Sequence, residues 1–328
     1  MKKASKVMSR SWFLGIIGII VLLVLAMFIP WGSWSLSSHP NPAGSYEEAV
    51  RRIEVIQASE GADFNPVCRA KFLTHGQKTT RVIIMVHGYT SCPQQFAALG
   101  DKFFNLGYNV LIVPLPHHGL ADRMTEAHAE LTAQELVAYA DETVDIAQGL
   151  GEKVVMMGLS VGGATTSWAA QNRSDIDLAV IISPALGFKQ IPTPLTAFAM
   201  NAYKILPDAM VWYDEKLKEN VVGAVYSYPR YSRHALVQSL LLGYAIKSQA
   251  NQSPPAAKKM IVVFNANDTT INNALTEEFV TSWLAHGANL SRYDFGIDLK
   301  LGHDLIDPTA PDQKVDVVYP VLLDLVGQ

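Results

Sequence analysis

The sequence predicts an α/β fold, a mostly parallel sheet with helices on both faces. Three observations point there. Short apolar runs rich in Val and Ile (Arg81–Val86, Asn109–Val113, Lys153–Met157, Ile176–Ile182, Met260–Phe264) read as strands buried on both faces. Stretches with apolar residues at helical spacing separate most of them. One run, Val154–Met157, passes straight into Gly158-Leu159-Ser160-Val161-Gly162 and then a small-residue helical stretch. That is a strand, a Gly-x-Ser-x-Gly turn and a helix.

This turn organises the chain. Glycines on either side of Ser160 permit a bend that side chains would obstruct, so the serine stands above the sheet edge. Its hydroxyl then meets a helix N-terminus, where free N–H groups favour developing negative charge. The bland alternative is a Gly-rich connection carrying a bystander serine.

Size and composition set limits. The 328 residues, 49% hydrophobic, bury an ample core and suit one large α/β domain with an insertion as well as two domains. Net charge is −4; Lys2, Lys3, Lys6 and Arg10 precede any acid, which leaves the chain after residue 30 at −8. An acidic domain without a basic stripe is a poor candidate for nucleic-acid binding.

The expected organisation has three parts: a basic stub and transmembrane anchor over 1–30, a tether and short helix over 31–60, and the α/β domain over 61–328. Trp12–Ile29 is an uncharged apolar run close to the minimum for a membrane-spanning helix. The basic residues before it would stay in the cytoplasm, which puts the domain outside it in a single-pass membrane protein. A cleavable signal and secretion are the alternative, with no Ala-x-Ala site and Ser35-Leu36-Ser37 as a permissive substitute. Trp31–Ser45 reads as a flexible tether and Tyr46–Ala58 as a short surface helix. Cys68 and Cys92 are the two cysteines. In an oxidising compartment they invite a disulfide closing a loop of about 25 residues, worth roughly 3 kcal/mol on a loop-entropy model.

In the main domain, Pro93–Leu106 repeats Phe96, Leu99, Phe103 and Leu106 on one face, a helix after the first clear strand. Thr132 with Glu135 three residues later forms a capping box for a helix running to about Gln148. The rhythm breaks over about 186–257, where Leu195, Phe198, Ala199, Ala202, Tyr203 and Leu206, then Leu236, Leu240 and Tyr244, recur at helical spacing. A helical cap over the pocket is expected; a crossover packed on the sheet flank is the alternative. The sheet resumes at Met260–Phe264, a helix follows over Asn273–His286, Asn289–Phe295 is the last strand and Val315–Val326 the last helix.

A serine nucleophile needs a base, and the base needs a third group to fix its tautomer. The turn predicts the chain order Ser, acid, His on loops after later strands. Asp268 follows the Met260–Phe264 strand, and His303 lies in the Leu301-Gly302-His303-Asp304 loop after the last one. Asp294 and Asp298 are rival acids, His286 falls inside a helix, and Asp304 is expected to turn its loop. For the oxyanion, the N–H groups of Val161 and of Tyr89 are expected, with Gly88 allowing close passage and His87 bracing the loop. His117, His118 and Asp122 lack a recognised ligand spacing, so no metal is expected, nor any other cofactor.

The set VIIMVHGYT (82–90), NVLIVPLPHHG (109–119), GLSVGG (158–163), NAND (265–268) and GHD (302–304) resembles the α/β-hydrolase superfamily. Within it, the chain is similar to bacterial carboxylesterases and monoacylglycerol lipases, a group overlapping the serine aminopeptidase-like hydrolases. The resemblance runs from about Arg81 to the C-terminus. It implies Ser160 as nucleophile, Asp268 as acid, His303 as base, and N–H donors at Tyr89 and Val161. One departure is Leu115-Pro116-His117-His118-Gly119 where related lipases carry Arg-Gly-His-Gly. The expected function is hydrolysis of carboxylic esters of small or medium acyl groups through an acyl-enzyme, lipid-derived esters being suggested only by the nearby membrane. The rivals are an amide or peptide hydrolase with the same triad, for which a cap carboxylate such as Asp214 or Glu215 would hold a free amine, and a non-catalytic binding module.

Overall fold

Parallel strands need long crossovers, and in this chain the crossovers are helices, which places apolar layers on both sides of the sheet. The computed structural model describes residues 10–220 and 223–327. It opens with helices α1 (Arg10–Ala26) and α2 (Tyr46–Ser59), an edge strand β1 (Lys71–Leu73), then β2 (Thr79–Val86), α3 (Gln94–Asn105) and β3 (Asn109–Ile112). Next come α4 (Ala133–Leu150), β4 (Gly151–Leu159), α5 (Val161–Asn172) and β5 (Leu178–Ile182). The segment after β5 holds α6 (Thr196–Ile205), the hairpin β6 (Met210–Trp212) and β7 (Arg230–Ser232), and α7 (Arg233–Ala250). The chain ends with β8 (Met260–Asn265), α8 (Asn273–Ala285), β9 (Leu290–Phe295) and α9 (Val315–Gly327).

Seven strands form one sheet in the order β1-β3-β2-β4-β5-β8-β9, parallel except for β1 at the edge. Alternate side chains feed the two faces. Val82, Ile84, Val154 and Met156 pack with α4, α5 and α7, while Ile83, Met85, Val155 and Met157 pack with α3 and α9. Thr132 and Glu135 make the reciprocal capping box that starts α4. The short strands β1, β6 and β7 were not legible: three residues are too few to show a period.

The N-terminal expectation is overturned. Among the described residues, no helix is long and apolar enough to cross a membrane. Helix α1 has 17 residues; at about 1.5 Å each it falls short of a hydrocarbon core of about 30 Å. It stops because the residues counted toward a span leave the helix: Asn201 Nδ2 in α6 donates to Met27 O (2.9 Å) and Ile29 O (2.6 Å). The Phe28 ring meets that of Phe198, with centroids 5.5 Å apart. The single-pass anchor, the membrane partner and the location outside the cytoplasm that rested on them fall together. Lys2, Lys3 and Lys6 of the basic stub lie outside the described residues.

Residues 36–43 are docked on α4 instead of forming a free tether. Buried Arg173 holds Asp141, Asp145 and Asp175 at 3.1, 2.6 and 2.7 Å. The same carboxylates then accept from the strap: Ser38 Oγ and His39 N on Asp141, Asn41 N on Asp145 at 2.8 Å. A buried guanidinium needs such partners, and its carboxylates have lone pairs left for backbone N–H groups.

Candidate active site

Strand β4 ends at Leu159, and Ser160 turns the chain into α5 with φ 60° and ψ −118°, a conformation costly for a residue with a Cβ. Both flanking glycines are required by space. A Cβ on Gly158 would sit 2.2 Å from Gly162 O, and one on Gly162 would sit 2.1 Å from Val86 O. The main chain fixes the turn: Ser160 N donates to Ile182 O (3.1 Å), and Ser160 O accepts from Ala164 N and Ala185 N, each at 2.9 Å. The serine side chain is thus left at the start of a 12-residue helix whose first N–H groups lack intrahelical partners.

His303 Nδ1 lies 2.8 Å from Asp268 Oδ2. The Asp268 side chain is buried, and its other oxygen accepts from Thr270 N (2.8 Å) and Ile271 N (2.9 Å). Burial raises the Asp268 pKa, but the hydrogen bond and charge of His303 and the two backbone donors outweigh it, and the net shift is downward. The rivals lie elsewhere. Asp294 is an exposed partner of Arg292 at the end of β9, and His286 ends α8 with its Nδ1 on Ser282 O.

The loop after β2 closes over the turn. A Cβ at Gly88 would lie 3.5 Å from Ser160 Cβ, so this backbone passes directly beside the serine and carries Tyr89 with it. Tyr89 is buried, its hydroxyl donating to His128 O (3.1 Å), and Thr90 has φ 66°. His87 spans the base of the loop: Leu115 N donates to its Nε2 (2.9 Å), so Nδ1 carries the proton and donates to Gly88 O (2.8 Å). Burial pushes the His87 pKa down to about 4, against the opposing pull of the Gly88 carbonyl. His118, also buried, accepts from Thr90 N at 3.3 Å. His117 meets Glu135 Oε1 at 2.8 Å, and Asp122 turns its loop through Met124 N.

Sequence reasoning missed Gln95. Gly88 N donates to Gln95 Oε1 and Gln95 Nε2 donates to Asp304 Oδ2, both at 2.8 Å. One amide therefore ties the β2 loop to the loop bearing His303. Asp304 turns that loop by accepting from Asp307 N (3.2 Å), and Tyr226 donates to Asp307. Only three-dimensional adjacency reveals this chain of contacts, since 209 residues separate Gln95 from Asp304. Cys68 and Cys92 are bridged, and Tyr226 packs against the bridge.

Ser160, His303, Gly88 and Tyr89 line one cavity of about 580 Å³. Its roof comes from the segment after β5: Phe188, Ile191, Tyr203, Trp212, Tyr213 and Tyr231. Helix α7 lines the cavity as well, through Leu236, Val237 and Leu240, and packs against α5. A serine hydroxyl and an imidazole held by a buried carboxylate thus line one cavity, groups of the kind acyl transfer uses.

Residues 77–295, about two thirds of the chain, match the family described as serine aminopeptidase, S33. The chain belongs to this family. As a member of it the chain is an α/β hydrolase, and it is similar to monoacylglycerol lipases. It is 27% identical over 120 residues to a thermostable monoacylglycerol lipase of Bacillus sp. (strain H-257), a stretch covering 35% of this chain and 44% of the lipase. The match thus spans less than half of that relative's length. Among solved structures, a metagenome-derived lipolytic enzyme from the LipS and LipT study aligns with TM-score 0.57 and 19% identity over 80% of this chain and 98% of the other. Monoacylglycerol lipase from Paleococcus ferrophilus aligns with TM-score 0.57 and 16% identity over 78% and 97%. At these identities the structural likeness speaks to the fold.

Proposed function

We propose that the chain hydrolyses carboxylic esters with Ser160 as nucleophile, His303 as general base, Asp268 as the acid that orients it, and the N–H groups of Tyr89 and Val161 as the oxyanion hole. The observation that carries this reading is the strained serine at a helix N-terminus sharing one cavity with a histidine held by a buried carboxylate. Ser160 Oγ attacks the ester carbonyl while its proton passes to His303 Nε2. Asp268 accepts from Nδ1–H, keeping Nε2 free for that proton and stabilising the imidazolium. The oxyanion forms beside Tyr89 and Val161, where each donor is worth about 3 kcal/mol of transition-state stabilisation. Collapse expels the alcohol with the proton from His303, and water, activated by the same base, releases the acid.

The names of the similar proteins favour glycerol monoesters of fatty acids as the substrate type. The family description also keeps peptide and amide hydrolysis open. Against it, neither Asp214 nor Glu215 is among the residues lining the cavity, and Asp214 is spent on turning its own loop.

The test uses the full chain, wild type and Ser160→Ala, on p-nitrophenyl esters of increasing acyl length and on matched anilides. Ester turnover in the wild type and a loss of about 10⁶-fold in the variant is the expected result. Equal rates in both proteins would sink the proposal, and faster cleavage of the anilides would move it to the amide reading. Failure of a serine-directed phosphonate to label Ser160 in the folded protein would favour a binding module.

A further inference from the structure

Three lining side chains of the cavity are ionisable besides its tyrosines: His303, Asp304 and Arg233. The first two are engaged with Asp268 and Gln95. Arg233 differs. It opens α7 at the cavity's edge, exposed, with its backbone N on Ala209 O. Among the described residues, no carboxylate pairs with its guanidinium.

The neighbouring carboxylate is committed elsewhere: Asp208 accepts from Ser232 Oγ (2.6 Å), Ala209 N (2.7 Å) and His234 N (3.0 Å). Glu215 lies within electrostatic reach of Tyr231, as does Arg233, but it does not line the cavity. The contrast with Arg230, three residues earlier, is informative. Arg230 donates to Met124 O, pairs with Glu126 (3.2 Å), and lies outside the cavity lining.

The Arg233 guanidinium rests instead over the ring of Tyr203, with Cζ 5.6 Å from the centroid. An arginine laid on an aromatic face is pre-oriented, and its N–H fork remains open to a planar anion. The cavity is therefore lined by aromatic side chains, the serine and the histidine, with a cation at its edge to which, among the described residues, no carboxylate is paired.

On the ester-hydrolase reading above, we infer that Arg233 forms an anion subsite and that the substrate is a carboxylic ester bearing a second, negatively charged group, a carboxylate or a phosphate. Arg233 recognises that group while the aromatic roof covers the apolar part between it and the ester. It is a specificity determinant and takes no part in the bond-breaking steps.

The experiment measures kcat/KM of the full chain for matched anionic and neutral esters. One arm places the charge on the acyl side (p-nitrophenyl adipate monoester against p-nitrophenyl hexanoate). The other places it on the alcohol side (hexanoyl glycerol 3-phosphate against monohexanoylglycerol). In one arm the wild type is expected to favour the anionic ester by about tenfold or more, a ratio that shrinks as salt rises. Arg233→Gln should bring that ratio near one, Arg233→Lys should keep part of it, and Arg233→Glu should invert it.

An anionic-to-neutral ratio that is the same in wild type and Arg233→Gln, in both arms, overturns the inference while leaving ester hydrolysis intact. If no ester is turned over, the ester reading itself has failed. The subsite is then read by ligand-observed NMR of adipate and hexanoate with Ser160→Ala. Equal binding of the two acids would overturn it, and adipate preference lost in Ser160→Ala/Arg233→Gln would support it.

Discussion

The turn from β4 into α5 and the roof above it meet in the same cavity, yet they are built by different means. At the turn, main-chain hydrogen bonds and two obligatory glycines set the position of Ser160, and every residue of α5 except Asn172 is buried. The roof is assembled from α6, the short strands β6 and β7 and the loops between them. Tyr213 OH meets Thr90 Oγ1 (3.0 Å), Tyr228 N donates to Thr90 O (2.9 Å), and Arg123 Nε donates to Ser227 O (2.8 Å). Backbone constraint therefore holds Ser160, while contacts between residues far apart in the chain hold the roof. Chemistry and selectivity should respond separately to mutation.

The sharpest way to break this comparison is at Asp268. Asp268→Asn should leave the fold in place and lower kcat by about 10⁴, because an amide no longer enforces the productive histidine tautomer. Circular dichroism and ester kinetics on the same preparation check it, and a loss below tenfold would remove Asp268 from its assigned role.

Next comes Gly162→Ala. Its Cβ would land on Val86 O, which is backbone and has no easy retreat. We expect a destabilisation of about 3 kcal/mol, read as a fall in the urea midpoint. The same substitution at Gly223, in the segment after β5, where the nearest atom to an added Cβ is 3.9 Å away, meets no such wall but does meet a φ of 144°. It should cost strain alone, and an equal cost at the two sites would erase the contrast.

Acid should weaken the floor through His87. Its folded pKa is depressed to about 4 from an unfolded value of 6.5. Between those values the unfolded chain binds a proton that the native state refuses, so stability falls as pH drops from about 6.5 and levels off below about 4. A fully buried imidazole contributes on the order of 3 kcal/mol to that slope. Unfolding midpoints across this range, compared with His87→Gln, measure it; an unchanged slope in the variant would assign the effect to other groups.

The smallest effect is expected in the roof. Trp212→Ala should change the preferred acyl length and shift kcat/KM between neighbouring lengths by about tenfold, with much less change in the rate of phosphonate labelling. A collapse of labelling would mean that the roof also positions the reacting groups.

The same division explains what could be read in advance. The parallel strands announce themselves because burial on both faces demands unbroken apolar runs such as Arg81–Val86. The strained turn at Ser160 and the Asp268–His303 contact lie where chain order points, each residue following a strand, and the catalytic roles assigned to them are a proposal. Gln95 is not legible, since a glutamine early in a helix carries no sign of the Asp304 it will meet. Nor is the pairing of Tyr226 with Asp307, or the three-residue strands β6 and β7. Hydropathy misled at the N-terminus: it counted Met27–Ile29 as part of a span, whereas their carbonyls and the Phe28 ring are taken up by α6.

The strap over 36–43 has a consequence for the order in which the molecule assembles. Its partners, Asp141 and Asp145, lie about a hundred residues downstream and are oriented by Arg173, which is further still. A ribosome makes the strap early, but its docking site does not exist until α4 and α5 have come together. Closing so long a loop brings no reward until both ends are formed. The strap therefore waits, undocked, until the chain through α5 has been made.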